Sequence, residues 1–317
     1  MGTETSEPSD PEAIRERYNI ETPSLGERIK EHWIGYAFIL PSFLMFIILF
    51  YIPLLRGIQL TFMEVRLGGA DAFVGLEHYL WVATNDLLVH SVKTTLLFAF
   101  STLALQVVLG LVSALFLNEL TRGYREWLTA LVMAPYFAAG LAAGLIWKWF
   151  LSGDFGLITR ILHEFGMEPI LFLNEGALPF LSVVLATVWH DFPWAGVIYV
   201  AALKGIPREQ YEAAAMDGAS RLHRFRDVTL PHLVTPTVII LVLRTVFQIK
   251  EFAIPFELTG GGPVNKTLVL SIFTFRVAYL EQSLGRGYVI GMIMLVLAVV
   301  PAIIYIRVLQ EEKELYT

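Results

Sequence analysis

The chain has 317 residues, of which 56% are hydrophobic and only 16% charged, with a mean hydropathy of +0.61 and a formal net charge of −6. Roughly a quarter of the residues in a soluble domain are charged, so this composition excludes an ordinary soluble protein and points to one embedded in lipid. The acidic balance argues against a nucleic-acid-binding surface, and the absence of cysteine removes disulfides, thiolate metal ligands and a cysteine nucleophile.

In chain order, residues 1–33 form a polar, acidic tail (Glu4, Glu7, Asp10, Glu12). It lacks the basic start, short apolar core and small-residue cleavage site of a secretory leader, so the first span is expected to stay as an anchor. A bilayer crossing takes roughly 20 apolar residues. Six runs qualify, at about 34–56, 91–117, 127–150, 178–203, 234–256 and 287–308. They are too long and continuous for barrel strands and show no strand alternation, which leaves helices. The expected fold is an all-α integral membrane protein. It has six transmembrane helices in one domain (34–309), with short polar tails at 1–33 and 310–317.

Basic residues set the orientation. With a cytoplasmic N-terminus, the inner segments hold Arg15, Arg17, Arg28, Lys30, Arg122, Arg125, Lys204, Arg208, Arg221, Arg224, Arg226, Arg307 and Lys313. The outer loops hold only Arg66, Arg160, Lys266 and Arg276, so both termini are expected inside. One outer loop carries an amphipathic stretch, Phe73 to Trp81, suited to the membrane interface. Another opens with Thr259-Gly260-Gly261-Gly262-Pro263, a backbone that cannot remain helical.

Between the fourth and fifth spans lies a polar island, Glu212 to Pro236. Pro207 suits a first helical turn, and Glu209 and Glu212 place negative charge at the positive end of that helix. Ala213, Ala214 and Ala215 favour helix and allow another surface to approach closely. Gly218 ends the run, and Ser220 is suited to cap a second short helix holding Leu222, Phe225 and Val228. Leu230-Pro231 and Pro236 then lead into the fifth span. The plainer alternative is an amphipathic loop whose basic residues serve topology alone.

The order and spacing of Glu212-Ala213-Ala214, Asp217-Gly218-Ala219, Phe225 and Leu230-Pro231 resembles the EAA loop of ABC-importer membrane subunits. Over about residues 34–308 the chain is similar to the carbohydrate-uptake branch of these permeases, the maltose- and glycerol-phosphate-transporter type. Ala134-Pro135, Trp147-Lys148-Trp149-Phe150 and Leu203-Lys204-Gly205-Ile206-Pro207 follow that branch. The glycine run after the fifth span resembles the first permease of the pair. The resemblance implies a cytoplasmic helix–turn–helix coupling loop (204–235) that docks onto an ATPase through Glu212, Ala213, Ala214, Asp217, Gly218, Ala219, Leu230 and Pro231. It further implies a sister permease, two copies of the ATPase and an extracytoplasmic solute-binding protein. ATP and magnesium would belong to the ATPase, with no cofactor on this chain. Two departures stand against naming a particular sugar. Phe252-Ala253 replaces the Phe-Asp of many relatives, and the large outer domain of the best-known maltose permease is missing.

Charges inside lipid spans are costly, roughly 2.5–3.5 kcal/mol at a helix centre on insertion scales, so they usually face a bundle or cavity. Arg244, Gln248 and Glu251 share one face at helical spacing. In the related permeases the matching stretch lines the sugar site, and Phe247 or Phe252 would offer an aromatic platform. The alternative for Arg244 is an internal ion pair with Glu251 or Asp191. His190-Asp191 with Pro193 is expected to break the fourth span as a kink or gate, and Gln106 suits a helix–helix hydrogen bond.

There is no phosphate-binding glycine loop of the Walker type, and the scattered histidines form no zinc spacing, so an enzyme is not expected. The leading reading is a permease powered by a separate ATPase. An ion-coupled secondary transporter working through Asp191, Arg244 and Glu251 is the alternative. That alternative calls for inverted repeats, which the sequence does not display.

Overall fold

The computed structural model describes residue 26 and residues 30–65 and 72–315. Most of the expected N-terminal tail, with Arg15, Arg17 and Arg28, lies outside the described residues, as does Arg66. The chain divides into two compact units, Met1–Gly57 and Ile58–Thr317.

The first unit holds most of α1 (Trp33–Leu60). This helix contains Pro41 and one widened turn at Ile47–Tyr51. Large apolar side chains are exposed all round it, Phe38 at 81% and Phe50 at 65% among them. Apolar side chains on every face suit a helix that is solvated by lipid.

In the second unit, β1 (Met63–Glu64) and β2 (Ala72–Phe73) form a short antiparallel ladder with Met63 opposite Phe73. The stretch read as interfacial becomes α2 (Glu77–Ala83), which buries His78 and Val82 while Phe73, Leu76 and Leu80 stay exposed. Helix α3 (Asp86–Glu119) begins at Asn85, whose side-chain oxygen accepts the Leu88 N–H at 3.1 Å.

The third span is not the straight helix expected over 127–150. Helix α4 (Arg122–Met133) runs into a 3-10 turn at Ala134–Phe137, and the chain then turns by 94° into α5 (Gly140–Phe150). Pro135 has no N–H to continue the helical ladder, and Ala138 and Ala139 are extended, so a bend replaces a continuous crossing. The loop that follows carries α6 (Leu157–Glu164).

Helix α7 (Leu178–Lys204) packs along α3 over a longer stretch than any other helix pair. Their closest approach is built from small residues. A Cβ on Gly110 would lie 2.7 Å from Ala195 Cβ, and one on Gly196 would lie 2.7 Å from Ser113 Oγ. Such contacts let membrane helices gain dispersion energy where lipid removes the hydrophobic driving force.

After α7 come α8 (Arg208–Met216), α9 (Arg221–Arg224), a widened turn at Phe225–Thr229 and α10 (Leu230–Ile249). The second short helix expected after Ser220 is not a separate element, because the chain is continuously helical from Arg221 to Ile249. Pro231 sits in the first turn of α10, where a missing N–H costs least, and the widened turn before it re-phases the ladder. The fifth span therefore starts earlier than position 234 and ends at Ile249 rather than 256. Residues 250–252 interrupt it before α11 (Ala253–Thr259).

Gly260 then takes a left-handed conformation (φ 58°) and ends α11, as the glycine run required. Helix α12 (Leu270–Phe275) and a widened turn at Arg276–Leu280 lead to α13 (Leu284–Leu315), so helix continues into the segment read as a C-terminal tail. Among the described residues, five helices are long and apolar enough to cross a membrane, or six if the bent pair counts as one span.

Two large apolar clusters, with a smaller one of Ala99, Ile249 and Ala298, form the core of this unit. One gathers Phe98, Val184, Val188, Leu270, Phe273 and Ile290, and the other Ala114, Ala195, Tyr199, Leu203, Leu233 and Ile240. On α3, α7 and α10 the polar residues Gln106, Asp191 and Arg244 fall between them.

Candidate functional site

Those polar residues meet. Arg244 donates through Nε to Gln106 Oε1 at 3.0 Å and through Nη2 to Asp191 Oδ2. Gln248 Nε2 donates to the same Asp191 oxygen at 2.9 Å. The Arg244 and Asp191 side chains are only 7% and 8% exposed. His190 extends the network, with Nδ1 2.8 Å from Asp191 Oδ1 and Nε2 3.0 Å from the Ala138 carbonyl oxygen at the bend of the third span. One buried knot thus ties α3, the α4–α5 bend, α7 and α10 together. Paired and hydrogen-bonded charges are the form in which buried ions are tolerated.

The knot is not fully satisfied. Gln106 Nε2, Thr245 Oγ1 and Gln248 Oε1 are buried without a partner, leaving unused donors and acceptors beside the ion pair. Aromatic rings flank it, the Arg244 guanidinium carbon lying 5.9 Å from the Trp194 ring centroid and 5.8 Å from that of Phe247. Phe247 keeps 47% of its surface exposed, and Lys250 Nζ stands 4.5 Å from its ring centroid.

The residues expected along a substrate pathway therefore separate. Arg244 and Gln248 lie in the knot. Glu251 does not share their face, because α10 ends at Ile249, and its carboxylate instead accepts the Ile254 N–H at 3.3 Å near the start of α11. Phe252 packs into an aromatic group, 4.6 Å from Phe256 and 5.5 Å from Phe275 between ring centroids. Helix α7 stays helical through Pro193, and Asp191 pairs with Arg244. Gln106 makes the interhelical hydrogen bond its type and depth suggested. The link from His190 to Ala138 had no signature in the sequence beyond a costly polar residue inside a span.

The second feature is the elbow between α7 and α10. Helix α8 ends in two reversed hydrogen bonds, Ala219 N–H to Ala214 C=O at 2.9 Å and Gly218 N–H to Ala215 C=O at 3.1 Å. This is a Schellman ending, and it places Gly218 at the left-handed position, where φ is +77°. Ser220 then starts the next helix, its hydroxyl accepting the His223 N–H at 3.4 Å. Tyr211 and Thr229 hydroxyls lie 3.0 Å apart and tie the two arms. Glu212, Ala213, Asp217, Gly218, Leu230 and Pro231 are exposed, whereas Ala214 and Ala219 are partly covered. Met216 (89% exposed) and Leu222 (73%) flank the turn as bare apolar side chains.

Residues 106–311, which include both the knot and the elbow, match the family described as binding-protein-dependent transport system inner membrane component. The chain belongs to this family. The permease is similar to the trehalose/maltose transport system permease protein MalF of Thermococcus litoralis, 32% identical over 89% of this chain and 95% of that one. It is also similar to the sn-glycerol-3-phosphate transport system permease protein UgpA of Agrobacterium fabrum, 29% identical over 83% of this chain and 90% of the relative. Its fold is that of a chain in the crystal structure of a bacterial ABC transporter that imports the acidic polysaccharide alginate. The TM-score is 0.78 at 23% identity, covering 90% and 98% of the two chains. The permease is thus a multi-pass, mostly helical membrane subunit of an ABC transport system.

Proposed function

We propose that the permease forms half of the translocation pathway of an ATP-driven importer for a sugar or related polyol. In this reading the elbow is the cytoplasmic docking element for a separate ATPase that binds ATP and magnesium. One observation carries it. The second arm of the elbow and the helix bearing Arg244 and Gln248 are one continuous helix, Arg221–Ile249. At about 1.5 Å per residue such a helix is roughly 40 Å long. A push on the second arm of the elbow is therefore carried along the same helix that bears the knot.

The sugar class rests on relatives named for trehalose/maltose and glycerol-phosphate transport. A sister permease, two ATPase copies and an extracytoplasmic binding protein complete the proposed assembly. Phe247, exposed beside Arg244 and Lys250, offers the aromatic platform that a hydroxylated ligand needs. Family membership favours ATP coupling over the ion-coupled alternative.

Co-expression with the ATPase encoded beside this chain, followed by purification through the permease, tests the proposal. The intact chain should retain the ATPase, while Glu212→Ala and Gly218→Asp should release it. Equal retention by all three would remove the elbow as the docking element.

A further inference from the structure

We infer that His190 is a positioning residue for transport. With both ring nitrogens protonated, it pins the bend of the third span to the Asp191–Arg244 pair; the neutral ring keeps its one proton on Nδ1 toward the carboxylate, loses the Ala138 bond and frees the bend.

A backbone carbonyl can only accept, so the 3.0 Å contact with Ala138 O requires a proton on His190 Nε2. Asp191 Oδ2 already accepts from Arg244 and Gln248, which marks Asp191 as an ionised, accepting carboxylate. The 2.8 Å contact at its Oδ1 then requires a proton on His190 Nδ1 as well. A neutral imidazole carries one N–H and can make one of these bonds, not both.

Geometry explains why this tether matters. Ala138 and Ala139 are the extended residues at which the third span turns by 94°. Beyond the turn, α5 is locked onto α11. A Cβ on Gly144 would lie 2.7 Å from Glu257 Cβ, and Lys148 Nζ is 3.4 Å from Glu257 Oε1. Before the turn, α4 is separated from α3 and α7 by a crevice of about 610 Å³ lined by Leu117, Val132, Met133, Pro193 and Val197 among others. The less tightly held arm is therefore α4, and His190 holds the carbonyl at its pivot.

Helix α7 presents Asp191, α10 presents Arg244, and the 250–252 link presents Glu251. The bend contributes Tyr136, its ring centroid 6.0 Å from that of His190, and α3 contributes the uncharged Gln106. Among these groups, only the imidazole has an ordinary titration range that spans neutral pH.

The chain contains no cysteine, so two introduced cysteines can carry nitroxide labels without background. Tyr124→Cys on α4 and Phe116→Cys on α3 replace side chains that are 73% and 60% exposed. Double electron–electron resonance on the full chain in lipid nanodiscs then reads the angle of the arm. At about pH 6 a narrow distance distribution is expected, and at about pH 9, above the ordinary range of imidazole, the narrow component should be lost. With His190→Gln, which cannot carry the second charge-assisted bond, it should be missing at both pH values. With His190→Lys, a permanent cation with several donors, it should persist at both. A wild-type distribution that ignores pH, or a His190→Gln chain that keeps the wild-type pH response, would overturn the inference.

Discussion

Arg244 on α10 and Asp191 on α7, 53 positions apart in the chain, form a buried ion pair that also engages Gln106 of α3 and Gln248 of α10. Polar residues that are each costly in lipid become one another's partners. Their position between the two apolar clusters makes the pair a fixed point about which three long helices are registered.

Removing one member of this pair should cost far more than removing both. Asp191→Ala strands a buried guanidinium and is expected to destabilise the permease by about 3–5 kcal/mol. Asp191→Ala combined with Arg244→Met should recover much of that loss, because no buried charge is left unpaired. Thermal unfolding of the purified assembly, compared across the single and double variants, reads the coupling. Additive effects would mean that the two side chains do not interact.

At Gly218 the left-handed backbone ranks the substitutions. A β-carbon there strains the turn by roughly 1–2 kcal/mol, and asparagine tolerates the conformation better than alanine. No atom lies within 4 Å of the site a Cβ would occupy, so crowding inside the chain cannot confuse the result. ATPase retention in a pull-down should fall in the order Gly218, Gly218→Asn, Gly218→Ala. If alanine and asparagine behave alike, backbone conformation is not what the docking surface needs.

The α3–α7 contact should reject even a methyl group. Gly110→Ala places a carbon 2.7 Å from Ala195 Cβ, and overpacking of this kind costs about 1–3 kcal/mol. Gly291→Ala on α13, with nothing within 4 Å of its Cβ position, is the matched control and should be near neutral. Melting temperatures of the two variants, measured side by side, decide the point.

Phe247 and Phe252 should part company in a transport assay. Phe247 is half exposed beside the knot, so Phe247→Ala should raise the KM for the proposed sugar substrate by about tenfold, equivalent to roughly 1.4 kcal/mol. Phe252 is stacked on Phe256 and Phe275, so Phe252→Ala should lower stability with little change in KM. Uptake kinetics in reconstituted vesicles, with the melting temperature taken alongside, separate the two effects. A stable Phe252→Ala chain with a raised KM would reverse the assignment.

Much of this was legible in the sequence because it depends on local chemistry. Long apolar runs must be helices in lipid, where no water can satisfy a bare backbone. The left-handed requirement at Gly218 and the cap at Ser220 concern residues within one turn of each other, and the chain could be read for both. Helical spacing also placed Arg244 and Gln248 together correctly, since both lie inside one uninterrupted helix.

What stayed hidden depended on where elements end and what they meet. Glu251 left the shared face because α10 stops at Ile249, a boundary decided by packing rather than by hydropathy. The third span reads as one apolar run, yet Pro135 and the extended pair Ala138–Ala139 turn it by 94°. By itself, then, the sequence determined a helical membrane protein with an elbow of defined turn chemistry, because periodicity, lipid solvation and backbone strain act within a few residues. Only the tertiary structure decided that Asp191 holds Arg244, that His190 reaches the bend and that elbow and knot share one helix. Those contacts join residues tens of positions apart, and their partners are chosen by which buried donors and acceptors the folded helices bring within hydrogen-bonding distance.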